Sequence, residues 1–325
     1  MGSDLLLQLD GRPDFFNRSR GYQDWTILVI EENNQIIGSA GFAVQEKTID
    51  GSIYLGVYEY GFNVDPDQRR RGIATLLQNR VEKYADDIGA DFLYLNITED
   101  NVASHSFFTG QGFKPVRECS PLMFLAYKKH EVDQYKIRPI KEGDIPVVVQ
   151  LLNEYNEGLD FYTQYTSESF TQYFNRLPFY SMKDIYIYDH DTVKAVAGYW
   201  DYTNVMRFTL QGYNTRWKIM AAIANLLGMV TPMPKVPKIG EPMTNWYLTP
   251  FAYRDPDAGV QLLMYILNLA YLNGIYMVGY PVDQESPSYS DLDKLRSNKG
   301  RFTLYLKPFR DLPEIKQVYI DPIDI

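Results

Sequence analysis

Residues 64–77, from Val64 to Leu77, read VDPDQRRRGIATLL. An apolar, strand-like run from Ile53 to Val64 leads into this stretch, and a helical pattern carries it on to about Ile88. Pro66 breaks the strand. Arg69, Arg70, Arg71 and Gly72 then enter the helix, and Ala74 keeps its first turn slim. A helix start carries several backbone N–H groups without intrahelical partners, together with the positive end of the macrodipole. Arginines beside those groups make a site suited to a phosphate-bearing ligand. Gly72 has no Cβ, so a ligand can approach the backbone closely. Taken alone, the stretch also fits a basic loop that merely caps a helix.

The length of 325 residues suggests two domains, and a hydrophobic content of 45% supports sizeable cores. Net charge is −9. That argues against nucleic acid as a partner, because phosphate binding would call for a basic face. A cationic substrate suits the bulk charge better. The single cysteine, Cys119, excludes an intrachain disulfide and a multi-cysteine metal site, and fits a reducing cytoplasm. His105, His130 and His190 are too widely spaced for a zinc pattern, so no metal is expected. No signal segment opens the chain and no apolar run approaches a membrane span, so no membrane partner is expected.

In chain order, Pro13 to Arg18 reads as a short helix with proline at its first position. Trp25 to Glu31 (WTILVIE), Gln35 to Lys47 and Ile53 to Val64 read as an antiparallel meander, turning at Asn33-Asn34 and at residues 49–52. In the helix that follows, Ile73, Leu76, Leu77, Val81 and Tyr84 recur at helical spacing and mark one buried face; Gly89 ends it. Ala90 to Ile97 (ADFLYLNI) is the next strand. A strand–helix–strand unit of this length implies a parallel pair with a right-handed crossover.

The stretch around Gly72 resembles the pyrophosphate-binding motif of the GNAT superfamily, the acyl-CoA-dependent N-acyltransferases. The matching positions are Val64, Pro66, Arg69, Gly72 and Ala74. Asn101 to Phe113 resembles the second signature of that family, through Asn101, Ser104, Phe108 and Gly112-Phe113, and returns into a strand over roughly 113–128. The resemblance implies a GNAT fold for residues 1–130, with coenzyme A in the opening between the Ile53–Val64 and Ala90–Ile97 strands. It implies that backbone groups around Phe62, Asn63 and Val64 pair with the pantetheine arm, and that the Val64 N–H meets the thioester oxygen. The diphosphate would rest on the N–H groups of Arg70, Arg71, Gly72, Ile73, Ala74 and Thr75, with Arg69 and Arg71 adding charge. Asn101 and Phe108 are carried over as cofactor contacts, and acetyl-CoA is the implied acyl donor. Two features depart from the family. Phe108 stands where many relatives carry a tyrosine that reprotonates the leaving thiolate. The opening strand and much of the first helix of such a fold have no counterpart before Trp25, so either the natural start is longer or another segment covers that sheet edge.

A charged linker over Lys128 to Gln134 precedes what resembles a fresh GNAT opening, Lys136 to Ile140 followed by EGDIPVVVQLLNEYN with Asp144 as N-cap. The expected second domain is 135–325. Ser167 to Leu177 reads as a helix, Asp184 to Asp189, Val193 to Tyr202 and Arg207 to Tyr213 as strands, and Trp217 to Met229 as an apolar helix before an irregular loop at Pro232, Pro234 and Pro237. Thr244 to Phe251, Ala258 to Asn273 and Ile275 to Tyr280 repeat the strand–helix–strand order. Laying Gln261-Leu262-Leu263 on Thr75-Leu76-Leu77 places Asp255 on Arg69, Ala258 on Gly72 and Val260 on Ala74. An aspartate then stands where an arginine would meet phosphate. The second half reads as a degenerate GNAT copy without CoA binding; the alternative is an unrelated α/β domain. The fold class is α/β (α+β), with two GNAT-like domains, each a twisted mixed sheet flanked by helices.

For catalysis, strand alternation puts Glu59 with Ile53, Leu55 and Val57 on an apolar face, where desolvation would raise its pKa toward that of a base near neutral pH. Alternatively Glu59 meets solvent or a salt-bridge partner, and Tyr58 and Tyr60, on the other face, line the cleft. The expected function is transfer of an acetyl group from acetyl-CoA to an amine, of a small molecule or a peptide, in the cytoplasm. A non-catalytic CoA-binding or regulatory protein is the alternative. The aromatic residues Trp200, Tyr202, Trp246 and Tyr247 of the second domain either wall the acceptor cleft or form core. The sequence does not fix the oligomeric state and is compatible with a homodimer.

Overall fold

The computed structural model describes residues 5–11, 14–213, 238–295 and 297–325. The expected helix Trp217–Met229 and the proline loop after it, like Pro13 at the expected helix start, lie outside the described residues. The chain forms two compact units. The first, here the cradle unit, comprises Ser19–Cys119, Gly158–Thr163 and Arg301–Ile325; the second, the companion unit, comprises Met1–Arg18, Ser120–Glu157 and Gln164–Gly300. Where a linear boundary near residue 130 was expected, both units draw on both halves of the chain.

In the cradle unit, β2 (Asp24–Glu32), β3 (Gln35–Ile49) and β4 (Ser52–Val64) form the expected antiparallel meander. Asn33 and Asn34, both at positive φ, make the tight turn between β2 and β3. Helix α1 (Ile73–Asp87) crosses over to β5 (Phe92–Thr98), which pairs parallel with β4. The buried stripe of α1 is Ile73, Leu77, Gln78, Val81 and Ala85; Leu76 is 50% exposed, because the i, i+4 row through Ile73 leaves it on the flank. Helix α2 (Val102–Gly110) and β6 (Lys114–Cys119) follow. The segment expected as one strand to about residue 128 divides at Ser120-Pro121 into β6 and β7 (Leu122–Leu125), which belong to different sheets. The place beside β5 is taken by β16 (Phe302–Pro308), which pairs antiparallel with β5 on one side and β6 on the other. The six-stranded order is therefore β2-β3-β4-β5-β16-β6.

The companion unit begins with β1 (Leu5–Asp10), paired with β11 (Arg207–Tyr213) and β12 (Pro242–Met243) in a three-stranded sheet. Its main sheet has seven strands in the order β15 (Asn298–Lys299), β7, β14 (Met277–Tyr280), β13 (Asn245–Tyr253), β10 (Thr192–Asp201), β9 (Ile185–His190), β8 (Ile137–Pro139). Helices α3 (Ile145–Tyr155) and α4 (Ser167–Arg176) stand between β8 and β9, α5 (Pro256–Leu272) between β13 and β14, and α6 (Pro287–Asp293) after β14. Asp144 precedes α3 but makes no side-chain cap to it; its carboxylate binds Arg138 at 2.7 Å instead. Pairing of β13 with β14 is parallel, with β7 antiparallel beyond them, as β16 lies beyond β5 in the cradle sheet. Each mixed sheet thus receives one strand from the distant half of the chain. Trp200, Tyr202, Trp246 and Tyr247 are buried, so they serve as core rather than as an open wall.

Candidate functional site

The parallel pairing of β4 with β5 is short: Gly56 to Phe92, Val57 to Leu93 and Tyr58 to Tyr94. Beyond that, residues 59–64 of β4 and 95–98 of β5 are not paired with each other, so the two strands part. A parting pair of parallel strands leaves backbone donors and acceptors facing an opening, where they want partners. A bulge in β4 sharpens the split, since Gly41 and Ser39 of β3 face Tyr60 and Asn63. Gly61 takes the required positive φ of 61°. The extra residue reverses the alternation, so Val57 and Glu59 before the bulge, and Phe62 and Val64 after it, share the face toward α1 and α2. The Asp65 N–H donates to the Ile37 carbonyl at 3.0 Å. Alternation along the strand then turns the Val64 N–H away from β3, toward the split.

Eight residues (65–72) join β4 to α1. Arg70 and Gly72 both take positive φ, 64° and 79°. Gly72 is the N-cap residue but supplies no side-chain cap, and the first intrahelical bond runs from the Leu76 N–H to the Gly72 carbonyl, at 2.9 Å. A Cβ built on Gly72 would meet nothing within 4 Å, so the space in front of the helix start is open. Arg69 and Arg70 are exposed and, among the described residues, enter no ion pair. Arg71 is engaged elsewhere: its guanidinium grips both carboxylate oxygens of Glu32, at 2.8 and 2.9 Å, and bonds Gln68. Ile73 is buried against Ile37, Ala40 and Leu77, which fixes the helix to the sheet, while Ala74 is half-buried and Thr75 exposed.

Asn101 caps α2, its Oδ1 accepting from the Ser104 N–H at 3.2 Å. Phe108 is 5% exposed, with ring centroids 5.3 Å from both Phe62 and Phe113. Phe42, Val57, Val81, Leu93, Leu95 and Tyr305 belong to the same cluster.

Glu59 is the first β4 residue past the paired segment, and it is only 2% exposed. The Gln78 Nε2 of α1 donates to its Oε1 at 2.9 Å. Its Oε2, like the Oε1 of Gln78, has no hydrogen-bond partner. Burial pushes the Glu59 carboxyl up to about 8; the Gln78 bond pulls it down, Glu82 pushes it up and Lys307 pulls it down, each by less. Glu82 and Lys307 pair with each other at 2.7 Å.

The opposite face of the split carries a polar nest that the sequence reading did not assemble. Asp324 lies there, 4% exposed, with Lys47 Nζ at 3.2 Å, Gln45 Nε2 at 3.0 Å, and the hydroxyls of Tyr94 and Tyr22 at 3.2 Å. Its carbonyl accepts from Asn96 at 2.9 Å and from the Tyr58 hydroxyl. Tyr60 donates to Ser19, at 2.9 Å, and its ring stacks on Tyr22. Tyr58 and Tyr60 therefore occupy the face assigned to them, opposite Glu59. No sequence signal marks this nest: Lys47 sits in the polar run Gln45 to Thr48 at the end of β3, and its partner stands 277 residues away. Among the described residues, no group of three or more His, Cys, Asp or Glu is placed to hold a metal, and no helix is long and apolar enough to cross a membrane.

Residues 6–113 match the family model of the acetyltransferase (GNAT) family. No curated protein matches the chain in sequence. Among solved structures, the chain is similar to Saccharomyces cerevisiae N-myristoyltransferase with bound myristoyl-CoA, at TM-score 0.65 and 12% identity, covering 98% of this chain and 74% of that one. A second structure of the same yeast enzyme with myristoyl-CoA gives 0.64 and 14%, over 97% and 78%. A third, with myristoyl-CoA and inhibitors, gives 0.64 and 13%, over 98% and 76%. Identity at this level carries the fold: α/β, with mixed sheets flanked by helices.

Proposed function

We propose that this chain is an acyl-CoA-dependent N-acyltransferase that moves an acetyl group from acetyl-CoA directly to an amine. The observation that carries this reading is the parting of β4 from β5 beside an uncapped, basic helix start. A thioester–amine transfer needs the amine deprotonated, the carbonyl polarised and the two held together. In this reading the pantetheine arm enters between residues 59–64 and 95–98, where strand-edge amides await partners, along Phe62 and Asn63. The Val64 N–H, at the open end of the split, meets the pantetheine arm, and the thioester lies deeper, toward the closed end at Tyr58 and Glu59. The diphosphate rests on the N–H groups of residues 70–75, with Arg69 and Arg70 adding charge. Arg71, tied to Glu32, chiefly holds the loop in shape. Asn101 and Phe108 border the cofactor through α2, and Glu59 is the titrating group. The acceptor amine, of a small molecule or a peptide, approaches from the tyrosine face.

The short acyl group is supported by the ring cluster of Phe42, Phe62, Phe107, Phe108 and Phe113, which fills the helix side of the split. The likeness to N-myristoyltransferase over 98% of the chain favours a second reading, a long-chain donor. Phe108, which has no proton to give, favours a third, CoA binding without transfer. The companion unit is read as an echo of the same fold without the cradle. Calorimetry with acetyl-CoA and myristoyl-CoA, followed by thiol release across peptides with free amino termini and polyamines, separates these readings. Acetyl-CoA is expected to bind and to release thiol. Preference for myristoyl-CoA would replace the donor, and binding without release would remove the transfer.

A further inference from the structure

We propose that Glu59 is the acid that hands a proton to the departing CoA thiolate, rather than the base that takes one from the amine. This rests on the acyltransferase reading above. Position comes first. Glu59 directly follows the last paired residue of β4, so it stands at the closed end of the split. Its side chain faces α1, where Gln78 holds it, opposite the tyrosines of the acceptor face. An incoming amine cannot approach through that packed helix layer. A sulfur lying between the two strands, by contrast, is open to a group on either face.

Among the described residues, the neighbours supply no other carboxyl free of an ion pair. Val57, Phe62, Leu95 and Phe108 share this side of the split and carry no ionisable proton; of the two tyrosines in the cluster, Tyr305 has its hydroxyl engaged with His105 at 2.9 Å, and Tyr84 of α1 packs its ring on Phe42. Glu82 and Lys307, the charged groups that act on Glu59 from α1 and β16, are committed to each other at 2.7 Å. With Oε1 accepting from Gln78, the acid proton sits on Oε2, which has no protein partner to hold it back. A buried carboxyl of this kind stays protonated near neutral pH. That suits a donor, whereas a base would have to be ionised. A buried, half-satisfied polar pair is also costly to keep in a core, which favours a functional reason for it.

The step balances. The amine nitrogen attacks the thioester carbon, forming the C–N bond, and the collapse breaks the C–S bond. The electron pair leaves on sulfur, and Glu59 protonates it to the free thiol. The proton lost from the nitrogen restores Glu59 through solvent. No oxidant or metal takes part.

The test uses the full chain, acetyl-CoA and the same panel of peptides and polyamines. Glu59→Gln is expected to lower kcat by about a hundredfold while leaving acetyl-CoA affinity within about twofold. Wild-type kcat should fall as pH rises through about 8, Glu59→Asp should keep a falling limb, and Glu59→Gln should lose it. Glu59→Leu provides a second variant should the glutamine fold poorly, with the same expected loss. A kcat that rises through pH 8 on a limb removed by Glu59→Gln would identify a base and overturn the assignment. Unchanged kcat in both variants would overturn it equally. A wild type that binds acetyl-CoA but never releases thiol would sink the acid while sparing the cofactor site. No acetyl-CoA binding at all would sink the acyltransferase reading itself, and the acid with it.

Discussion

The two units use one device at two helix starts, and fill it differently. In each, a strand with a bulge pairs in parallel with its partner over three residues, then parts from it ahead of a helix: β4 with β5 before α1, and β13 with β14 before α5. The α1 start is open: eight residues long in its loop, uncapped, with Gly72 at positive φ and, among three exposed arginines beside it, two that enter no ion pair among the described residues. The α5 start is closed. Two residues, Arg254 and Asp255, replace the eight, and Arg254 binds Glu154. The Asp255 side chain caps the helix by accepting from the Asp257 N–H, and Pro256 removes a donor altogether. The Tyr253 ring lies against Gly259, where a Cβ would come within 2.5 Å of it. An anion that finds free N–H groups and positive charge at α1 finds a carboxylate and a satisfied turn at α5. In the reading proposed above, ligand capacity lies in the loop between strand and helix rather than in the fold as a whole.

The largest effect should come from closing the open start. Gly72→Val places a β-branched residue at φ 79° and a side chain in the anion's path. Acetyl-CoA affinity should drop at least about a hundredfold, about 3 kcal/mol, by calorimetry. Unchanged affinity would make the two starts equivalent and erase the contrast.

The next contrast lies one residue past the last parallel pair, where the cradle unit has Glu59 and the companion unit has buried Leu248. Because the folded-state pKa of Glu59 is raised, the folded form binds more protons than the unfolded chain between about pH 4.5 and 8. Stability is therefore lost as pH rises through that window. Glu59→Gln should stabilise the protein by about 3 kcal/mol at pH 7, and by nothing near pH 4. Thermal melts of both proteins across pH check this, and equal melting temperatures at pH 8 would contradict it.

Smaller effects separate the arginines. Arg70→Ala should weaken acetyl-CoA by about tenfold, roughly 1.4 kcal/mol, with a reduced dependence on salt. Arg71→Ala should weaken it less, because its charge is already spent on Glu32. The reverse ranking would move the phosphate to the Glu32 side of the loop. Asp255→Ala should lower stability by about 1 kcal/mol in urea melts and leave acetyl-CoA binding untouched.

The cradle was legible because it is local. Strand, turn, arginines, glycine and helix lie within one contiguous stretch, and each carries its own backbone preference. Glu59 could be placed on the helix face by alternation, since the bulge at Gly61 comes after it. Residues beyond Gly61 could not be assigned a face this way, because nothing in YGFNV announces the extra residue. Sheet membership was not legible. No strand was expected at Phe302–Pro308, and nothing local says that it inserts between β5 and β6, or that Leu122–Leu125 pairs with β14 instead. The strand–helix–strand order of the second half was legible, with β13 and β14 parallel as β4 and β5 are, but the residue-by-residue alignment was not. Sequence spacing set Asp255 on Arg69, whereas the structure contracts the whole loop, so Arg69 has no counterpart. The Lys47–Asp324 nest stayed hidden because its members meet only once the last residues return to the sheet.

Titration of the full chain with acetyl-CoA in a calorimeter tests the central claim most directly. One site per chain is predicted, abolished by Gly72→Val and unaffected by Asp255→Ala. Two equivalent sites, or a single site that survives Gly72→Val, would contradict it.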